Sequence, residues 1–325
     1  MKGGRGVIEY IRHFEMKKIK KSELINLIKG NELLYELDLE GMDLTDVDFR
    51  NSELRFVNLR NAVINPLFFP PKVLVECDLE NVLLKDVDFQ GVSIQGTVFL
   101  HTKVRINPQK IGDLTLFNVN LEGIDLKDAD FTDVYIAGAN LKDTGAKIDP
   151  QKIVNKDLSN CNLEGLDLGN ADFTGVNIYG ANLKGTKANI DPQKIVDKDL
   201  RNCNLEGLDL SSADFTGVNI YGANLKGTKA NINPQEIWGS IIMNANLEGL
   251  NLSTFDFTDV YIAGANLKDT GAKIDPQKIV NKDLSNCNLE GLDLGSADFT
   301  GVNIYGANLK GTKANIDPQE IVDKD

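Results

Sequence analysis

The amino-acid sequence predicts an all-β solenoid with a helical segment at its N-terminal end. Three observations carry this: an aliphatic or Phe side chain recurs every five residues, prolines recur every 42, and aromatics make up only 7% of the chain, too few for a thick globular core. The five-residue series opens at Leu39 and continues through Leu44, Phe49, Leu54, Leu59, Ile64, Phe69, Leu74, Leu79, Leu84, Phe89, Ile94 and Phe99. Neither the 3.6 period of a helix nor the 2.0 period of a single strand matches it. Two positions before most of these stands a second small or apolar residue, such as Val47, Val57, Ala62, Cys77, Val82, Val87 and Val92, so both are read as pointing inward.

The longer period runs through Pro66, Pro108, Pro150, Pro192, Pro234, Pro276 and Pro318. Four five-residue sides close a coil of 20, so a unit of 42 is two coils plus two residues. A seven-residue step from Leu141 to Ile148, repeated from Phe99 to Ile106, Leu183 to Ile190, Leu225 to Ile232, Leu267 to Ile274 and Leu309 to Ile316, places the extra pair at one corner of every second coil. With that correction the register runs from Leu39 to Ile321, giving 55 sides or nearly fourteen coils. Stacked at ~4.8 Å, they would extend roughly 65 Å. Lys72, Lys156, Lys198 and Lys282 fall on nominally inward positions. Burying an unpaired ammonium is too costly, so the stretch after each periodic proline is expected to leave the wall as a turn or short loop.

Residues 1–30 are read as a helical segment or cap, and 31–325 as the solenoid. Val7, Ile11 and Phe14 share a helical face, and Ser22 is the expected N-cap of a short helix ending near Gly30. Its expected role is to cover the first coil, whose open edge is an unpaired strand. Asp325 falls within a repeat unit, so end-to-end self-association at a C-terminal edge is a further expectation.

Composition narrows the function classes. No apolar run approaches the roughly 20 residues of a membrane span, and the Lys17, Lys18, Lys20, Lys21 cluster interrupts any secretory signal, so a cytoplasmic location is expected. Net charge is −13; residues 1–30 carry eight Lys or Arg against three Glu, which leaves −18 on the remainder. The cysteines Cys77, Cys161, Cys203 and Cys287 are too far apart in sequence for a zinc pattern, and two coils of separation is beyond the roughly 7 Å Cα limit of a disulfide. They are expected to be reduced core residues.

Ala171-Asp172-Phe173-Thr174-Gly175, Ala181-Asn182-Leu183-Lys184-Gly185 and Ala188-Asn189-Ile190 resemble the A(D/N)LxX signature of the pentapeptide-repeat family, and nearly all of 37–325 shares it. The resemblance implies a right-handed quadrilateral β-helix, here with an N-terminal helical cap. It also implies two kinds of member: those similar to DNA in shape and charge that bind type II topoisomerases, and many with no known activity. Fold transfers on such a resemblance and function does not.

Two rows of side chains follow from the register. After the central Leu of one side the sign alternates: Glu122, Lys142, Glu164, Lys184, Glu206, Lys226, Glu248, Lys268, Glu290, Lys310. Before it stand Asn120, Asn140, Asn162, Asn182, Asn204, Asn224, Asn246, Asn266, Asn288 and Asn308, an expected amide ladder. Both rows are read as wall-stabilising.

No catalytic, metal or cofactor site is expected. His13 and His101 are the only histidines, Asp125, Asp167, Asp209 and Asp293 recur at equivalent turn positions, and the glycines Gly165, Gly175, Gly180 and Gly185 mark corners rather than a phosphate loop. Residues 132–199 and 258–325 differ only at Asn170 against Ser296 and Lys194 against Glu320, so a unique active site within either copy is not expected.

Specificity is sought where the repeat breaks. Trp238 and Ile241, within Trp238-Gly239-Ser240-Ile241-Ile242-Met243, replace residues expected to face outward, Val154 and Asp157 in a sister unit, and form a candidate partner patch; Phe68, within Pro66-Leu67-Phe68-Phe69-Pro70-Pro71, marks a second. The expected function is a non-enzymatic structural or protein-interaction scaffold with a protein partner, without direct nucleic-acid or membrane binding. The alternative is a DNA-mimicking binder of a type II topoisomerase. B-DNA carries a charge per ~1.7 Å, hence roughly 38 over such a length, about twice the repeats' −18. The chain also has no recognisable C-terminal dimerisation helix of the kind expected from gyrase-protecting members.

Overall fold

A computed structural model describes residues 16–84, 87–102 and 104–317. The chain separates into two compact units, Met1–Asp172 and Phe173–Asp325.

The first unit opens with strand β1 (Lys17–Lys18) and helix α1 (Lys21–Lys29). The Lys20 carbonyl accepts from the Glu23 and Leu24 amides, so the helix starts before Ser22 and Lys20 is the N-cap. The expected Ser22 cap therefore lies inside the first turn, where its backbone is already helical. At the other end Gly30 is the C-cap, as expected, its N–H returning to the Asn26 carbonyl at 2.9 Å. Leu24 is fully buried. Val7, Ile11 and Phe14 lie outside the described residues.

From here the backbone pairs with itself twenty residues on, in parallel. β1 pairs with β3 (Leu37–Asp38), β2 (Leu34–Tyr35) with β5 (Glu53–Arg55) and β5 with β7 (Val73–Val75), while β4 (Asp43–Leu44) pairs with β6 (Val63–Ile64). Leu34, Leu54 and Leu74 are thus stacked partners, each fully buried. Burying such a side chain stabilises by about 1.5–3 kcal/mol, and Phe49, Phe69 and Phe89 form a separate column on the preceding side, with edge-to-face ring spacings of 6.1 and 6.2 Å. Further along, the ladder thins to single parallel bridges such as Asp78↔Val98, Val98↔Asn120 and Asn120↔Asn140.

The coil-to-coil hydrogen bonds locate the two extra residues of each unit. Gly123 N–H donates to the Lys142 carbonyl and Asp133 to that of Lys152, each 19 residues on, but Gly138 donates to Ser159, 21 residues on. The offset changes at the 3-10 turn Val154–Lys156, not at the Leu141–Ile148 corner that the sequence periodicity favours. Thr144, Ala146 and Ile148 are all buried, so the segment between is extended and the Leu-to-Ile spacing places the insertion too early in the chain. The stretch after Pro318 lies outside the described residues, and the expectation of a turn after the periodic prolines holds from Pro66 to Pro276. Lys156 leaves the wall there at φ 48 and is half-buried, and Lys72 is exposed.

The second unit repeats this plan. Gly175 donates to Lys194 and Gly180 to Arg201, then Gly217 to Glu236 and Gly222 to Met243, with the 3-10 turns Val196–Lys198, Trp238–Ser240 and Val280–Lys282 absorbing each extra pair. Lys198 and Lys282 sit in these turns. The corners need positive φ. At Gly222 (φ +68) an added Cβ would also lie 2.3 Å from Asn202 Oδ1, so both the conformation and the space call for glycine.

Both expected rows are present. Asn224 Nδ2 donates to Asn204 Oδ1 at 2.9 Å, Asn246 to Asn224 at 2.9 Å and Asn266 to Asn246 at 2.9 Å. Each Oδ1 also accepts a backbone amide two residues on, as Lys226 N–H to Asn224 at 3.3 Å, which turns the corner. Lys184 reaches Glu206 at 3.0 Å, Lys226 reaches Glu248 at 2.9 Å and Lys268 reaches Glu290 at 3.5 Å.

Candidate functional site

The side of the second unit that follows each 3-10 turn is centred on the buried Leu200, Ile220, Ile242, Ile262 and Leu284. Residues flanking these centres point outward. Before them stand Asp199, Asn219, Ile241, Tyr261 and Asp283, with bridges Asp199↔Asn219 and Ile241↔Tyr261; after them stand Arg201, Tyr221, Met243, Ala263 and Ser285.

Polar contacts hold the early part of this face. Asn202 Nδ2 donates to the Tyr179 hydroxyl at 3.1 Å, Arg201 lies 5.2 Å over the Tyr179 ring, and Arg201 donates to Asp199 through Nε at 3.0 Å and Nη2 at 2.6 Å. The Asp199 carboxylate raises the Arg201 pKa. Two coils on, Asn244 holds the Tyr221 hydroxyl in the same way at 2.9 Å, but Met243 stands where Arg201 stood and Ile241 where Asp199 stood.

This is part of a wider substitution. Against Asp191, Lys194, Asp197, Lys198, Asp199 and Arg201, the corresponding turn has Asn233, Glu236, Gly239, Ser240, Ile241 and Met243, so six charges become one. The backbone is unchanged: Trp238 N–H donates to the Val218 carbonyl at 3.1 Å, as Val196 does to Val176 and Val280 to Val260. Trp238 is 55% exposed, Tyr261 40% and Tyr221 38%, while Ile241 and Met243 are half-buried. Trp238 and Ile241, singled out from sequence, therefore lie at the two ends of one turn. The rows flanking Ile220, Ile242 and Ile262 bring Tyr221 and Tyr261, whose signal in the sequence is their place one coil away from this turn, to the same face.

Phe68 belongs to the first unit. It closes the 3-10 turn Pro66–Phe68, which begins with the Leu67 amide donating to Asn65 Oδ1 at 3.0 Å. Its ring is half-buried beneath Arg50, 5.3 Å away, and Arg50 is itself fastened to Asp48 at 2.6 and 2.9 Å. The projecting side chain of that turn is Leu67, 78% exposed.

The reactive residue types are engaged in the wall. Cys77, Cys161, Cys203 and Cys287 are free and buried, burial pushes their thiols up to about 12, and the Cys161, Cys203 and Cys287 thiols donate to the carbonyls of Ile136, Ile178 and Ile262. Asp125, Asp167, Asp209 and Asp293 each accept the backbone amide two residues on. His101 Nδ1 lies 3.2 Å from Asn81 Oδ1; His13 is outside the described residues. Among the described residues no group of His, Cys, Asp and Glu could hold a metal ion, and no helix is long and apolar enough to cross a membrane.

One brace went unforeseen. A Gln that follows four of the periodic prolines reaches a carbonyl of the next coil: Gln151 to Asp172 at 3.0 Å, Gln193 to Thr216 at 2.9 Å, Gln235 to Thr258 at 3.1 Å and Gln277 to Thr300 at 2.9 Å. Its signal was the Pro-Gln pair that recurs from Pro108 onward.

Comparison with known proteins gives one family. The family model described as pentapeptide repeats matches in 8 copies over 34–65, 115–144, 157–187, 199–229 and 283–313. Among solved structures, HetL, a pentapeptide repeat protein involved in heterocyst differentiation regulation from the cyanobacterium Nostoc sp. strain PCC 7120, aligns over 90% of this chain and 94% of its own at 18% identity and a TM-score of 0.15. Full-length QnrB1, a plasmid-mediated fluoroquinolone resistance protein, aligns over 85% of this chain and 92% of its own at 16% identity and a TM-score of 0.18. Nothing about role follows at those scores. No curated protein matches the sequence significantly.

Proposed function

Because the chain belongs to the pentapeptide-repeat family, with the right-handed β-helix that this family implies, we propose that it is a non-enzymatic structural and protein-interaction scaffold whose contact surface is the face around Trp238. The observation that carries this is the replacement of six charges by one in a turn whose backbone is otherwise kept. A wall position that needs only solvation has no use for an exposed indole, whereas interface centres are enriched in Trp, Tyr and Met and depleted in charge.

In this reading the coils are quadrilateral, with four five-residue sides. Helix α1 caps the first of them, burying Leu24 where the first edge would otherwise be open. Residues 31–325 form the solenoid, and Phe68 serves as packing beneath Arg50 rather than as the centre of a second patch. DNA mimicry is the weaker reading, since the row of Lys–Glu pairs on one side cancels charge where a duplex would accumulate it.

The test is affinity capture followed by reconstitution with the purified captured protein. Trp238→Ala with Ile241→Ser is expected to abolish binding while the far-ultraviolet circular dichroism is kept. Undiminished binding by that variant would refute the assignment of this face. A gyrase supercoiling assay with and without quinolone tests mimicry separately, with no effect expected at micromolar protein.

A further inference from the structure

The charge around the Trp238 face points to the kind of partner it takes. The turn keeps a single charge, Glu236, where the described equivalent positions hold Lys110, Lys152, Lys194 and Lys278; Glu320 shares the acid in sequence. Asp259, in the next coil, stands where the earlier coil has Gly217. Both acids are exposed, and among the described residues neither makes an ion pair. Of the nearby cations, Lys278 pairs with Asp275 at 3.6 Å. An apolar centre is thus rimmed by two uncompensated acids.

The wall itself shows how such a face accommodates a cation. Arg201 lies over the Tyr179 ring, whose hydroxyl Asn202 fixes, and pairs with a carboxylate. Tyr221 is fixed identically by Asn244 but has Met243 in place of the arginine, and its ring remains 38% exposed. Trp and Tyr faces attract guanidinium groups most strongly when the site is partly desolvated.

We infer that the Trp238 face binds a basic, amphipathic protein segment, with arginine side chains over Trp238 and Tyr221 paired to Glu236 and Asp259, and apolar side chains against Ile241 and Met243. This rests on the proposal that the face is a protein-contact surface and adds the chemistry of the partner. A second copy of the chain is disfavoured as occupant. It would bring a net charge of −13 against its like, and Glu236 and Asp259 against acidic walls.

The experiment titrates the full chain with three labelled synthetic peptides of equal length, one alternating Arg and Leu, one Glu and Leu, and one Arg and Ser. The Arg–Leu peptide is expected to bind, at least about tenfold more tightly than either other, with Trp238→Ala weakening it by about tenfold. Glu236→Lys, which restores the residue of the sister turns and leaves the backbone undisturbed, is expected to weaken it by about threefold or more and to flatten its salt dependence. Equal binding of Arg–Leu and Glu–Leu peptides, with both lost in Trp238→Ala, would overturn the inference and leave the contact surface standing. Binding of Arg–Ser as tightly as Arg–Leu, unchanged in Trp238→Ala, would reduce the effect to the acidic wall and overturn the inference. Absence of binding by all three would overturn it too, while the reconstituted-partner assay above would still decide the contact surface itself. Concentration-dependent dimerisation in light scattering, lost in Trp238→Ala, would assign the face to a second copy instead.

Discussion

The Asn ladder gives the most direct test of how this wall is held. Asn224 donates to Asn204 Oδ1 at 2.9 Å and Glu206 Oε2 at 3.2 Å, and accepts from Asn246 Nδ2 at 2.9 Å and the Lys226 amide at 3.3 Å. Asn224→Ala removes all four. An intramolecular hydrogen bond contributes about 0.5–1.5 kcal/mol net, more toward a charged acceptor. The residue is half-buried, so water reaches some of the stranded partners and the expected loss is about 2–3 kcal/mol. Asn308 is the internal control. It donates to Asn288 at 2.9 Å and Glu290 at 3.4 Å and accepts from Lys310 at 3.2 Å, but it is exposed, so Asn308→Ala is expected to cost about 1 kcal/mol. Urea unfolding should be followed by the fluorescence of Trp238, the only tryptophan, which sits in the coil that Asn246 joins to Asn224. In a repeat array, stability is a sum of nearest-neighbour terms, so the Trp238 signal should shift more in Asn224→Ala than the whole-chain circular dichroism. Equal losses in the two variants, within about 0.5 kcal/mol, would refute the ladder as the source of stability.

Three further outcomes are expected. Leu205→Ala, at a fully buried position, should cost about 2–5 kcal/mol in the same urea assay. Lys226→Glu would set three carboxylates in consecutive coils and should lower the urea midpoint, by less in roughly 1 M salt; the carboxyls of Glu206 and Glu248, held below their ordinary 4.5 chiefly by hydrogen bonds from Lys184 and Lys226, add stability above that value that is lost as pH falls below it. The four thiols sit at about 12 folded against an ordinary 9.0, so between those values the unfolded chain has released protons that the folded chain retains, and their contribution falls as pH rises through that window. Cys203→Ala should shallow that fall, and all four thiols should resist alkylation near pH 8 until urea is added.

By itself the sequence determined the solenoid, because inward positions such as Leu205 and Leu225 recur at a spacing that no helix or single strand shares, and because Asn and Glu–Lys rows one coil apart are meaningful only if coils stack. Burial of Lys156 and Lys198 was costly enough to announce a turn after each proline. The placement of the two extra residues was decided only by tertiary structure: periodicity sees spacing, and the buried run Thr144, Ala146, Ile148 satisfies more than one register, whereas the hydrogen-bond offset between Asp133–Lys152 and Gly138–Ser159 satisfies one. The same holds for the start of α1, set by the Lys20 carbonyl rather than by Ser22. At the candidate site, Trp238 and Ile241 stood out as breaks in a repeat, but their neighbours Tyr221 and Tyr261, 17 and 20 residues away in sequence, join them only because the chain returns to the same face once per coil.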